Sequence, residues 1–181
     1  MLFKVVFICD EVEDFLREIT IDADASFLDL NNAILDTCNY KDDQVTSFYT
    51  CNDNWEQEDQ ITREDMGTGD ADKDIYIMAK TCLRDFIHDE DQKLIYVFDT
   101  FNNRIFYLKV TEFITGKIVK KAQCTRSIGN APQQILDDET TPTLSTIHVD
   151  SNDLGDDNNY FGSDDFDQEE FDPEGFEIEE H

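Results

Sequence analysis

The first apolar run, Phe3-Lys-Val-Val-Phe-Ile-Cys9, places apolar side chains at both parities, which predicts a strand inside a sheet covered on at least one face. Phe15, Arg17, Ile19 and Ile21 then alternate against Leu16, Glu18 and Thr20, predicting a second strand, and polar residues 10–14 join the two as a hairpin. Ser26 and Asp29 have the spacing of a capping box with Asp in the usual Glu position. Phe27, Leu30, Ile34 and Cys38 follow at helical intervals, so an amphipathic helix is expected over 27–38. Residues 44–51 return to strand composition through Val45, Phe48 and Tyr49. Hairpin, helix and strand in that order open a β-grasp-like fold.

Residues 56–74 are acidic and contain Gly67 and Gly69, which predicts an exposed excursion, and residues 75–78 form a short apolar patch of undecided type. Thr81 is placed to cap a short helix over 82–87 that buries Leu83, Phe86 and Ile87. The strongest local signal is a long hairpin. Leu94-Ile-Tyr-Val-Phe98 and the run from Ile105 to Ile114 flank a turn at 99–103, where Asn102 and Asn103 tolerate positive φ. Beyond Gly116, residues 118–124 are expected to add an edge strand whose Lys117, Lys120 and Lys121 discourage pairing with another molecule. From Gly129 to about Asn159, Pro132, Pro142 and clustered small polar residues indicate irregular chain. Phe161, Phe166, Phe171 and Phe176 then recur every five residues, a period of neither helix nor strand, and read as aromatic anchors in short turns.

These signals give one α+β domain over 1–126, built on a mixed sheet with one main helix and a long C-terminal hairpin. An irregular acidic connection follows over 127–159, and an acidic, Phe-containing ending over 160–181.

Charge sharpens this division. The formal net charge is −29, and after Arg126 the chain has 17 Asp and Glu with no Lys or Arg. Between 104 and 126, by contrast, Arg104, Lys109, Lys117, Lys120, Lys121 and Arg126 meet Glu112 alone, interleaved with Phe106, Tyr107 and Phe113. A basic surface bracketed by acid is the expectation. The acidic ending is expected to fold back on it, with its four Phe residues supplying most of the energy, because exposed ion pairs contribute only ~0–1 kcal/mol each.

Three blocks, Tyr96-Val-Phe-Asp99, Gly129-Asn-Ala-Pro132 and the ending Asp164-Asp-Phe-Asp-Gln-Glu-Glu-Phe-Asp-Pro-Glu-Gly-Phe-Glu-Ile-Glu-Glu180, resemble in order the plasmid pRiA4b ORF-3-like family. The resemblance implies a β-grasp-related α+β domain with an acidic C-terminal ending, in a family some of whose members are associated with plasmids or insertion elements and whose molecular function is unestablished. Many relatives follow the strand's Asp with a Gly-Asp-Gly-Trp-x-His type turn. Here Asp99 is followed by Thr100-Phe-Asn-Asn-Arg104, so no role of that Trp or His transfers to this chain.

The candidate chemistry is thin. His88, His148 and His181 lie far apart without metal-ligand spacing, and the stretch from Asp150 to Phe161 puts Leu154 and Phe161 where a calcium loop needs oxygen ligands. No glycine-rich phosphate loop occurs, and Cys82 and His88 are six apart, a poor match for one helix face. Five cysteines without a close pair read as reduced, buried thiols. No catalytic residue, metal or cofactor is expected.

The N-terminal apolar stretch meets acid too early for a secretory signal, and no run approaches the ~20 apolar residues of a membrane span. A cytoplasmic, non-catalytic module with an unidentified protein partner is expected, without membrane association. The net charge disfavours direct nucleic-acid binding by the intact chain. The alternative is an acidic DNA mimic, or a protein whose tail gates nucleic-acid access to its own basic hairpin.

Overall fold

The computed structural model describes residues 1–64 and 75–136, and the structural statements below concern these residues. The alternation in the first forty residues becomes strands β1 (Leu2–Ile8) and β2 (Leu16–Asp22), followed by helix α1 (Phe27–Cys38). The capping box forms as spaced. Ser26 Oγ accepts from the Asp29 amide at 3.1 Å, and Asp29 Oδ2 accepts from the Ser26 amide at 2.9 Å. The helix ends at Asn39, whose φ of 56° is the left-handed C-cap conformation an Asn tolerates.

Strands β3 (Ser47–Cys51), β4 (Gln57–Thr62), β5 (Ile75–Ile77), β6 (Lys93–Asp99), β7 (Arg104–Ile114) and β8 (Gln123–Ile128) complete one eight-stranded sheet. Its order is β5-β4-β3-β6-β7-β1-β2-β8. The pairs are antiparallel except β4 with β5, which makes the sheet mixed. Phe27, Leu30, Ile34 and Cys38 of α1 share one apolar cluster with alternate residues of the strands, including Phe7, Phe48, Tyr96, Phe106 and Leu108. Each large apolar side chain buried there contributes about 1.5–3 kcal/mol. The opposite strand parity forms a smaller cluster in which Cys51, Ile95 and Val97 lie beneath half-buried Tyr49, Trp55, Ile105 and Tyr107.

Three local expectations change. Residues 57–62, read as exposed excursion, form β4: Gln57-Glu-Asp-Gln-Ile-Thr62 holds one apolar residue, and cross-strand bonding to β3 replaces the missing hydrophobic signal. Residues 65–74 of that excursion lie outside the described residues. In place of a helix over 82–87 there is a 3₁₀ turn, Leu83–Asp85, and the Thr81 hydroxyl donates to the Ile77 carbonyl at 2.8 Å instead of capping it. The edge strand begins at Gln123 rather than Ile118, so Lys117, Lys120 and Lys121 precede it. A boundary at 126 therefore falls inside β8.

Candidate functional site

Arg104 opens β7 yet is only 7% exposed, because the β6–β7 turn directs it back over the sheet's end. Its Nε and Nη2 donate to the two carboxylate oxygens of Glu11, in the β1–β2 connection, at 2.9 and 2.6 Å. Nη2 also donates to the Gln133 carbonyl at 2.7 Å, and Nη1 to that of Gln134 at 3.1 Å. Asp99 Oδ2 lies 3.7 Å from Nη1, and the guanidinium carbon stands 4.8 Å above the Phe98 ring. The hydrogen bond to Glu11, before any other influence, raises the Arg104 pKa above its ordinary value. A planar, bidentate cation of this kind is a role that Lys cannot fill.

Arg17, 5% exposed, works from β2 without a carboxylate in its bonding set. Its guanidinium donates to the carbonyls of Leu16 (3.0 Å), Thr37 (3.3 Å), Ile128 (2.6 Å) and Gly129 (3.0 Å), and stacks 4.7 Å over Phe15. Thr37 lies in the last turn of α1, where carbonyls carry the negative end of the helix dipole. Tyr40 donates its hydroxyl to the Pro132 carbonyl at 2.6 Å, and burial holds its pKa well above the ordinary phenol value. Gln134 bonds Lys41 twice, through both side-chain amide atoms, at 2.7 Å each. Residues 128–134 thus form a strap fastened across the domain's end by two buried arginines and a tyrosine.

The same end carries an exposed aromatic. Asp99, nearly buried, accepts from the backbone amides of Phe101 and Asn102 at 3.1 and 3.2 Å and from the Asn102 side chain at 2.7 Å. Burial alone would raise its pKa. The Asn102 side chain and amide, Arg104 and the Phe101 amide together outweigh burial and lower it. Thr100 donates to the Val45 carbonyl at 3.0 Å, and Asn103 takes φ 51°. Fixed at these points, the turn holds Phe101 97% exposed. Val45, and Ile135 and Leu136 just beyond the strap, are also exposed.

The basic surface expected over 104–126 divides. Arg104 is interior and saturated, and Lys109 is exposed but paired with Asp91 at 2.7 Å. Lys117, Lys120, Lys121 and Arg126 have no carboxylate partner among the described residues. Lys120 and Lys121 line a groove of about 530 Å³ together with Asp22, Asp24, Asp29 and Asp36. Phe161, Phe166, Phe171 and Phe176 lie outside the described residues. Of the thiols, Cys9, Cys38 and Cys51 are buried, but Cys124 is exposed and Cys82 partly so, which corrects the expectation of five interior cysteines. Among the described residues no three His, Cys, Asp or Glu side chains stand close enough to hold a metal ion, and no helix is long and apolar enough to cross a membrane.

Sequence reasoning missed Arg17, Glu11, Tyr40 and Phe101 as site residues. Arg17 did leave a signal, a cation in the apolar parity of β2 between Phe15 and Ile19. Glu11 left none, since its partner is 93 residues away.

Two of the blocks noted in the sequence meet here: Asp99 belongs to the first and Gly129 to Pro132 to the second. The family model for plasmid pRiA4b ORF-3-like protein matches residues 4–180. The chain belongs to the pRiA4b ORF-3-like family. A solved structure, that of protein of unknown function MM3350 from Methanosarcina mazei Go1, superposes with a TM-score of 0.56 at 21% identity, covering 70% of this chain and 68% of that one. At that identity the likeness shows a shared fold alone. No protein with a curated description matches the chain. In this member of the pRiA4b ORF-3-like family, the strap and the Phe101 turn are what the first two blocks build.

Proposed function

We propose that this pRiA4b ORF-3-like domain is a non-catalytic protein-interaction module that presents Phe101 as its principal contact. One observation carries the reading: a phenylalanine 97% exposed on a turn whose backbone is bound by a nearly buried carboxylate. An exposed aromatic is costly to keep in water, and an aromatic anchor already ordered before binding avoids the entropy of ordering at the interface. Exposed Val45, whose carbonyl accepts from Thr100 of the same turn, adds an apolar residue close to such an anchor. Five free cysteines fit a reducing, cytoplasmic setting. The hairpin–helix–strand order β1-β2-α1-β3 supports the β-grasp-like description.

The test is a pull-down from the source cell with full-length chain as bait. One stoichiometric protein retained by wild type and lost by Phe101→Ala, while Lys109→Ala keeps it, supports the module. Equal retention of that protein by Phe101→Ala overturns Phe101 as the anchor.

The alternative is an acidic protein that mimics DNA or gates access to its own cations. It draws on Lys117, Lys120, Lys121 and Arg126, which have no carboxylate partner among the described residues. DNA binding that appears only when the acidic ending is removed, with a steep salt slope, favours gating.

A further inference from the structure

Strand β8 forms one edge of the sheet, with β2 on its inner side. All six of its residues are exposed, and Gln123-Cys-Thr-Arg-Ser-Ile128 contains one charge and no proline. The lysines expected to blunt this edge lie before it. An edge strand without such guards is a template for another strand. Its pairing with β2 shifts between Glu18 and Ile19, leaving Thr125 as the extra residue, and Thr125 Oγ1 is tied to the Glu18 carboxylate at 2.6 Å. The bulge twists the strand, the Ile128 carbonyl accepts from Arg17 and the Arg126 carbonyl from Cys124 Sγ, and among the described residues no strand pairs with the outer side of β8.

The charge beside this edge runs against that of the chain. In a protein of net charge −29, Lys117, Lys120 and Lys121 immediately before β8 and Arg126 within it form no ion pair with any described residue. Carboxylates stand close as well, Glu18 opposite Arg126 and Asp22, Asp24, Asp29 and Asp36 lining a groove with Lys120 and Lys121. None of them is within ion-pair distance of the four cations, and screening over about 8 Å at physiological ionic strength hides the rest of the chain's acid from a ligand at the edge.

We propose that the outer edge of β8 takes an extended, carboxylate-rich segment of a partner protein as a ninth strand, its carboxylates facing Lys117, Lys120, Lys121 and Arg126. This rests on the interaction-module reading and gives the chemistry of the partner at a second surface. A peptide fits better than a nucleic acid, because an open strand edge alternates N–H and C=O groups. Another backbone answers both, whereas phosphate oxygens only accept and would face the carbonyls unpaired.

The experiment uses full-length protein and a labelled synthetic peptide of five Glu-Val repeats, with a Lys-Val repeat and a ten-nucleotide dT strand as comparisons. The Glu-Val peptide is expected to bind in preference to both, and to slow hydrogen exchange of amides in 123–128 about tenfold. Replacing Lys117, Lys120, Lys121 and Arg126 together by Ala should weaken binding roughly tenfold or more, each exposed pair contributing little alone. Phe101→Ala should leave peptide binding unchanged, which separates this surface from the Phe101 contact.

Absence of binding, equal binding of dT, or binding without protection of 123–128 overturns the proposal. Protection without peptide of those 123–128 amides that do not bond β2 also overturns it, assigning the edge to a second copy if it rises with protein concentration and to the chain's own acidic segment if it does not.

Discussion

A methyl group on Gly129 would lie 2.3 Å from the carbonyl oxygen of Asp14, so the strap runs against the β1–β2 connection with no room for any side chain. Gly129 also has φ +63°, a conformation costing other residues about 1–2 kcal/mol. Gly116 has φ +75°, and a methyl group there would meet nothing within 4 Å. Gly129→Ala is therefore expected to destabilise by more than about 2 kcal/mol and Gly116→Ala by about 1 kcal/mol. Urea unfolding of both variants checks the difference, and equal losses would show that the contact with Asp14 gives way freely.

Arg104 joins Glu11, Gln133 and Gln134, and its removal leaves nearly buried Asp99 without its cation. Arg104→Ala is expected to cost roughly 3–5 kcal/mol, the range for breaking a buried pair. Arg104→Lys should recover less than half, since an ammonium cannot reach both Glu11 oxygens and both strap carbonyls. Hydrogen exchange should show residues 133–134 loosened in either variant, and a loss of stability without such loosening would separate Arg104 from the strap.

Asp99 sets an acid limit. Its carboxyl is held below the ordinary value of 3.8 in the folded chain, so its ionised form stabilises the fold above that value, and this contribution is lost as pH falls through the folded value. Between those limits the unfolded chain binds the proton first. Asp99→Asn should flatten the fall of stability with acid below about pH 4 while lowering stability at pH 7. A variant whose acid limb parallels that of wild type would remove Asp99 from the linkage.

The parts of this fold that are legible in sequence are those where local pattern and tertiary packing agree. Helix α1 occupies 27–38 as its spacing predicts, because Ser26 and Asp29 fix its start and Phe27, Leu30 and Ile34 have one face to bury. The β6–β7 hairpin follows from two apolar runs around a turn that tolerates positive φ. Strand β4 was hidden because its stability comes from pairing with β3, which a run of Gln, Glu and Asp does not announce. Strand β8 was displaced because Ile118 and Val119 look more strand-like than Gln123-Cys-Thr-Arg-Ser-Ile128, yet it is the latter that matches the open side of β2. The clamp was legible only in half. Arg17 stands out against its apolar neighbours, whereas the bonds from Arg104 to Glu11 and Gln133 span 93 and 29 residues and have no local signature.

Thiol reactivity follows exposure. Burial raises the Cys38 thiol to about 12 and that of Cys51 to about 11, whereas Cys124 lies exposed on β8. Since the thiolate is the nucleophile, iodoacetamide at pH 8 is expected to modify Cys124 first and Cys82 more slowly, with Cys9, Cys38 and Cys51 reacting only on unfolding. Peptide mapping over time checks the order. Early labelling of Cys38 would mean that α1 opens locally without global unfolding.

Asn31 is fully buried in α1, where its Oδ1 accepts from Thr46 Oγ1 at 2.7 Å and from the Tyr96 hydroxyl at 2.8 Å, while its Nδ2 has no partner among the described residues. The three side chains join helix to sheet through polar atoms inside an apolar core, so their energies are coupled. Tyr96→Phe removes one of two donors to the same oxygen and is expected to cost about 1 kcal/mol. In a background where Asn31→Leu has removed its acceptor and Thr46→Val the other donor to that acceptor, the Tyr96 hydroxyl becomes an orphan. Tyr96→Phe should there be neutral or stabilising, because it deletes an unsatisfied group instead of a bond. Urea unfolding of the four proteins of this cycle reads the difference directly. The same cost in both backgrounds would show that the hydroxyl adds nothing through Asn31, leaving the Thr46 and Arg17 bonds as polar ties of the helix.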